Sequence, residues 1–270
     1  MSDMAIQVGL GSWADPDYVG LLYPPGLPSG QRLSGYAMWF SHVEVNATYY
    51  RTPAKAAVKK WIEETPPGFI FDIRLHRIFS QSPQKAATSG RLLPLYLENL
   101  QPLFEARRFG AFLLVLSPNF SPGRHQLEEL DPLVGAVRPH PLAVELRHAD
   151  WVNEKNRSRT LEFFRDRRLT WVAVDMPRIE GSELMPPVDE VTQPDLAYLR
   201  LHGRNPNYLE AKSAAERHIH AYSEAELKEI TQRVRHLASR AKNVRVVANN
   251  HYTDFAPKTA LRLQQLLELD

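Results

Sequence analysis

Eight short runs dense in Val, Ile, Leu and Phe recur along this chain at intervals averaging about 34 residues, the length of one strand–helix unit. They fall at 5–10, 42–47, 69–75, 111–116, 142–147, 169–175, 196–202 and 244–249. Several are bounded by Pro, Gly or Asn, as strands covered on both faces are. Strands alternating with helical segments build a parallel sheet. Eight such units within 270 residues match a closed barrel better than an open doubly wound sheet. No GxGxxG follows the first run, which weighs against a dinucleotide-binding half. The expected fold class is α/β, a TIM-type (β/α)8 barrel. With no internal repeat or low-complexity tract, one domain over 1–270 is the simplest organisation.

The segments between the strands differ in quality. Residues 53–64 open on a proline at a plausible first turn and predict a helix. Residues 223–240 predict a better one, with SEAE as a capping box and Leu227, Ile230, Val234, Leu237 and Ala238 on one stripe. Residues 91–107 read as helical but interrupted by Pro94 and Pro102. Between 176 and 194 lie Pro177, Pro186, Pro187 and Pro194 with no amphipathic period. The sixth helix is expected to be missing, so the barrel is irregular in its sixth β/α unit.

Composition narrows the function. A hydrophobic content of 43% excludes disorder as the overall state, and zero Cys removes disulfides, thiolate metal sites and thiol nucleophiles. A net charge of +2 lacks the excess that a duplex-binding protein advertises. The N-terminus carries an acidic residue where a secretory leader needs a basic one, and no apolar run approaches the roughly 20 residues of a membrane helix. The expected compartment is the cytoplasm, with no membrane partner.

Charges should be rare in strands covered on both faces, yet here they gather near the C-terminal ends. The second run carries Glu44 and Asn46, the third Asp72 and Arg74, and the fifth Glu145 and Arg147, followed by His148. The sixth ends at Asp175, the seventh carries Arg200 and His202, and the eighth ends at Asn249 and Asn250. Side chains alternate along a strand, so Glu44/Asn46, Glu145/Arg147 and Arg200/His202 each share a face, with Val45, Leu146 and Leu201 turned toward helices. Such pairs converge on the C-terminal mouth, where barrel enzymes hold their chemistry. The competing reading is a structural network in which the acids and guanidiniums neutralise each other. His42, His76, His125 and His140 read as packing or surface histidines, and Arg165, Arg167 and Arg168 as a solvated helix end.

These stretches resemble the YecE-like family (domain of unknown function seventy-two). The matching pieces are GSW at 11–13, LYP at 22–24, VEVNATYYRTP at 43–53 and VELRHADW at 144–151. DMP at 175–177, YLRLHGR at 198–204 and NN at 249–250 complete the match, in the family's order over nearly the whole chain. The resemblance implies a TIM-type barrel with a polar pocket at the strand ends, and no established reaction. The chain departs from the family pattern at Arg74 and at Ser80–Gln81, where members typically have lysine and threonine–histidine, and keeps the family's arginine at Arg77. It departs again at Val115, where members have glutamine.

The expected function is that of a hydrolase or lyase acting on a small anionic or phosphorylated substrate. Arg74, Arg77, Arg147, Arg200 and Arg204 would offer guanidinium forks to its oxygens. Glu145 is the candidate general base and His202 the general acid, with Glu44 and Asp175 beside them. Asn46, Asn249 and Asn250 would orient the substrate, and Trp13 and Tyr50 would supply walls. No cofactor or metal is expected, since HExxH is absent. Metal-assisted phosphodiester processing through Glu145, His148, Asp175 and His202 is an alternative that makes nucleic acid a less favoured partner. Glycoside hydrolysis by Glu44 and Glu145 is disfavoured by the arginines, which would hold both acids ionised. A non-catalytic ligand-binding barrel is the remaining alternative, and the sequence leaves the oligomeric state open.

Overall fold

The computed structural model describes residues 5–88 and 90–269. The acidic Asp3 and the extreme ends of the 1–270 assignment lie outside them. Eight strands form the sheet: β1 Ala5–Leu10, β2 His42–Val45, β3 Ile70–Arg74, β4 Phe109–Val115, β5 Leu142–Glu145, β6 Thr170–Asp175, β7 Ala197–Leu201 and β8 Asn243–Ala248. All neighbouring pairs are parallel, and β8 closes on β1 in a continuous register from Ala5–Asn243 to Leu10–Ala248. This is the expected TIM-type barrel.

The helices on the outside are α1 Arg32–Tyr36, α2 Lys55–Glu63, α3 Arg77–Gln81, α4 Pro83–Thr88, α5 Leu92–Glu105, α6 Asp131–Val137, α7 Arg157–Asp166, α8 Ala214–Arg217, α9 Glu224–Ala238 and α10 Phe255–Leu267. In α9 the capping box forms as expected: Ser223 N donates to Glu226 at 2.8 Å and Glu226 N to Ser223 Oγ at 3.3 Å. Its stripe from Leu227 to Ala238 is buried. The prolines of α5 do not interrupt it. Pro94 sits in the first turn, where a missing N–H costs no helical bond, and Pro102 sits close enough to the end that the helix runs on to Glu105.

Residues 176–196 between β6 and β7 contain no helix, so the sixth unit is irregular. The segment is instead strapped across the barrel wall. Trp171 Nε1 donates to Val188 O at 2.8 Å, Thr192 Oγ1 accepts from Trp171 N at 3.0 Å, and Arg233 of α9 binds Asp189 at 2.8 Å. Met185 and Val188 of this segment are buried in the core. Among the described residues no helix is long and apolar enough to cross a membrane.

Register assigns the inner face. Tyr198 and Arg200 project inward, as their contacts with Glu44 across the barrel require. Their partners Val172 and Val174 on β6, and Arg245 and Val247 on β8, therefore project inward too. Val45, Leu146 and Leu201 are buried on the opposite face, against the helices.

Candidate functional site

The inner face is polar at its C-terminal half. Arg200, with 1% of its side chain exposed, donates Nη2 to Glu44 Oε1 at 2.8 Å and Nε to Glu44 Oε2 at 3.0 Å. Its Nη1 binds Glu145. Tyr198 OH adds a 2.9 Å bond to Glu44, and His202 Nε2 donates to Glu145 at 3.2 Å. Burial pushes the Glu145 carboxyl up, but Arg200, then His202 and Arg147, hold it well below the usual carboxylate range. Burial pushes His202 down to about 3 against the pull of Glu145, so the imidazole is neutral.

A second ring lies above this layer. Arg74 Nη1 donates to Asn46 Oδ1 at 3.0 Å, Asn46 Nδ2 to Asn249 Oδ1 at 3.4 Å, and Asn249 Nδ2 to His202 Nδ1 at 3.2 Å. An amide nitrogen only donates, so His202 accepts at Nδ1 and carries its proton at Nε2 toward Glu145. Arg147 Nη2 donates to Tyr208 OH at 2.8 Å, while its Nε stands 3.4 Å from Glu145. The Nε atoms of Arg74 and Arg147 are both buried without a hydrogen-bond partner. Gly11 closes the ring from β1. A Cβ there would come within 2.2 Å of Asn46 Nδ2 and 2.8 Å of His251 Nε2, so a larger residue would displace those side chains from the ring.

Thus Glu44, Asn46, Arg74, Glu145, Arg147, Arg200, His202 and Asn249 are brought together. Asp175 and Asn250 are not. Val174 is the inward residue of β6, so Asp175, one position on, faces the helices. There it binds Arg204 at 2.8 Å, Arg233 at 2.7 Å and Tyr222 OH at 2.8 Å. Burial raises its pKa, but Arg204 and Arg233 bring it below the usual value. Asn250 likewise points outward and donates to Thr259 of α10 at 3.2 Å. Arg204 has the parity of Arg200 and His202, but the chain turns at Gly203, where φ is +89°, and Arg204 swings out to Asp175 and to Glu229 at 2.9 Å. Arg77 is exposed on α3, and Trp13 packs edge-on against Trp61 at 5.6 Å, outside the ring. Tyr50 is 73% exposed at the rim, on Tyr49, whose ring lies 4.2 Å from the Arg74 guanidinium.

Of the departures, Gln81 is exposed at the end of α3, whereas Val115 is buried in register with Glu145. The suggested metal set does not converge. His148 pairs with Asp150 at 3.8 Å and Glu183 at 3.4 Å, and Asp175 is on the other side of the wall. Among the described residues no group of three or more His, Asp or Glu side chains could hold a metal ion. His42 binds Asp72 inside the barrel, His76 accepts from Ile78 N, His125 stacks on Phe120 and His140 on Phe104, none of them in the ring.

Sequence reasoning missed His251, Tyr18, Tyr208 and His218. His251 Nε2 donates to Asn249 Oδ1 at 3.1 Å, leaving Nδ1 to accept from Tyr18 OH at 3.1 Å. Burial pushes its pKa down to about 4. His218 Nδ1 donates to His202 O at 2.8 Å, and its ring stacks 5.6 Å from that of His202. Only His251 left a signal, its spacing of two from Asn249.

Residues 7–270 match the family described as Protein of unknown function DUF72, and the chain belongs to that family. It is 24% identical over 274 residues to UPF0759 protein YunF of Bacillus subtilis, covering 98% of this chain and 95% of that protein. Its structure is similar to that of a DUF72 family protein from Thermotoga maritima, with a TM-score of 0.86 and 32% identity over 98% of this chain and 99% of that one. A DUF72 family protein from Enterococcus faecalis gives 0.85 and 26% identity over the whole of both chains. The YecE-like resemblance agrees with this membership.

Proposed function

We propose that this DUF72 family barrel binds a small anionic or phosphorylated substrate at its C-terminal strand ends and acts on it as a hydrolase or lyase. One observation carries the reading: Arg74 and Arg147 each keep a buried Nε without a hydrogen-bond partner. Buried guanidinium donors are rarely left unclaimed, and a phosphate or carboxylate oxygen is the partner that suits them best. Asn46 and Asn249 orient the bound group. Glu145 serves as an anchor for Arg200 and His202, because its oxygens are committed to charge-assisted bonds and its proton is lost well below neutrality. Proton transfer then falls to His251, which is less buried than His202, neutral at physiological pH and backed by Tyr18 OH. An anion bound beside it raises its proton affinity.

The test is a turnover and calorimetric screen of small phosphate esters and carboxylates. Arg147→Met should weaken binding about tenfold or more, the loss expected for a charge-assisted contact. His251→Ala should lower kcat about a hundredfold with little change in KM. Anion affinity unaltered in Arg147→Met would refute the proposal. The engagement of Glu145 by Arg200 and His202 favours a second reading, a ligand-binding barrel without chemistry. Tight binding without turnover would select it. Steeply salt-dependent binding of oligonucleotides would instead make nucleic acid the partner.

A further inference from the structure

We propose that the opposite, N-terminal end of the barrel holds a second binding site, for an organic molecule that joins a phosphate or carboxylate group to an apolar body. A cavity of about 650 Å³ opens there, lined by the first residues of β3, β4, β5 and β8 and those just before β6 and β7. That volume is in the range of small-molecule sites.

Arg245 forms the deep end of this cavity. It lies in register with Tyr198, faces inward and is 6% exposed. The carboxylate closest to its charge is Asp72, whose Oδ2 stands 3.7 Å from Nε, too far for a hydrogen bond. His42 Nε2 has already claimed that oxygen at 2.7 Å. Nε and Nη1 of Arg245 are buried without any hydrogen-bond partner. The other oxygen, Asp72 Oδ1, faces Gly110 of β4, where a Cβ would lie 2.1 Å away, and is not bonded to Arg245 either. An oxyanion entering the cavity would supply what the fold withholds.

The walls agree with this charge. Arg138, Arg167 and Arg168 also line the cavity, against the single carboxylate Asp195. Arg167 is engaged by Asp131, and Asp195 is shared between Arg168 at 3.0 Å and Lys242 at 2.7 Å, so the lining stays positive. Phe109, Val134, Val137, Leu142 and Leu169 give it apolar sides suited to the body of the ligand. In most barrels this face serves stability and the chemistry is at the other end; a cationic cavity with an unclaimed arginine is unusual there.

The experiment is calorimetry on the full chain with phenyl phosphate, benzoate and inorganic phosphate. At least one aryl anion should bind more tightly than inorganic phosphate, and the preference between the two identifies the oxyanion. Arg245→Met should weaken that binding about tenfold or more, and Arg245→Lys should restore part of it. Arg138→Glu, an exposed change that leaves the core intact, should weaken it about threefold or more through charge reversal at the rim, and it decides the matter if Arg245→Met fails to fold. Arg147→Met, at the other end of the barrel, should leave it unchanged, which separates this site from the strand-end reading. Absence of aryl-anion binding, or binding indifferent to both Arg245→Met and Arg138→Glu, would overturn the proposal.

Discussion

A guanidinium with 1% of its side chain exposed must have its charge answered inside the protein, and Arg200 is answered by Glu44 and Glu145 together. That contact limits what Glu145 can do. An acid whose oxygens are occupied by Arg200 and His202 is a poor proton acceptor at neutral pH. Glu145→Gln should therefore read first as a loss of stability. It leaves a buried cation half paired, and urea unfolding should report a loss of about 3–5 kcal/mol. Unaltered unfolding with lost turnover would return Glu145 to the role of base. Glu145, Arg200 and His202 were legible in the sequence because a charge inside an apolar run is costly enough to need a reason. His251, Tyr18 and Tyr208 were not, since they follow or leave the strands, where alternation no longer fixes direction.

At the scale of elements, alternation was informative only when the phase of each strand was known. Glu145/Arg147 and Arg200/His202 could be paired from sequence, but whether Asp175 or Val174 faced inward depended on the register of β6 with β7. The turn at Gly203 then removed Arg204 from a parity it satisfied on paper. Loss of the sixth helix was legible from four prolines; the strap that replaces it, from Trp171 to Val188 and from Arg233 to Asp189, was not, because its bonds join segments distant in sequence. Local signals fared better where the partners are neighbours, as in the box that starts α9. Ser223→Ala should remove the bond to Glu226 N and lower stability by about 1 kcal/mol, read by thermal or urea unfolding. Arg147-dependent anion binding should be unaffected, since the cap touches none of the ring.

Across the whole molecule, eight apolar runs announce a closed sheet, yet the inside of that sheet is a polar column. His42, Asp72 and Arg245 stand at one end, Glu44, Glu145, Tyr198 and Arg200 in the middle, and Asn46, Arg74, Arg147, His202 and Asn249 at the other. Burial of so many titratable groups ties folding to pH in one direction. His202 falls to about 3 and His251 to about 4 because burial disfavours their charged forms. Unfolded, both take up a proton near pH 6.5, so between that pH and their folded values the unfolded chain binds more protons. Stability then drops as pH falls, by up to about 1.4 kcal/mol per pH unit for each imidazole. Glu145, Asp72 and Asp175 carry folded pKa values below the ordinary ones, as their arginine and histidine partners outweigh burial. Their contribution is complete above about pH 5 and is lost progressively below it, adding to the same trend. Urea midpoints should be level from pH 8 to about 7 and decline steadily from about 6.5 downward. His202→Asn should flatten the upper part of the decline by about one proton. Stability that peaks near pH 5 would mean that these imidazoles are charged in the folded barrel.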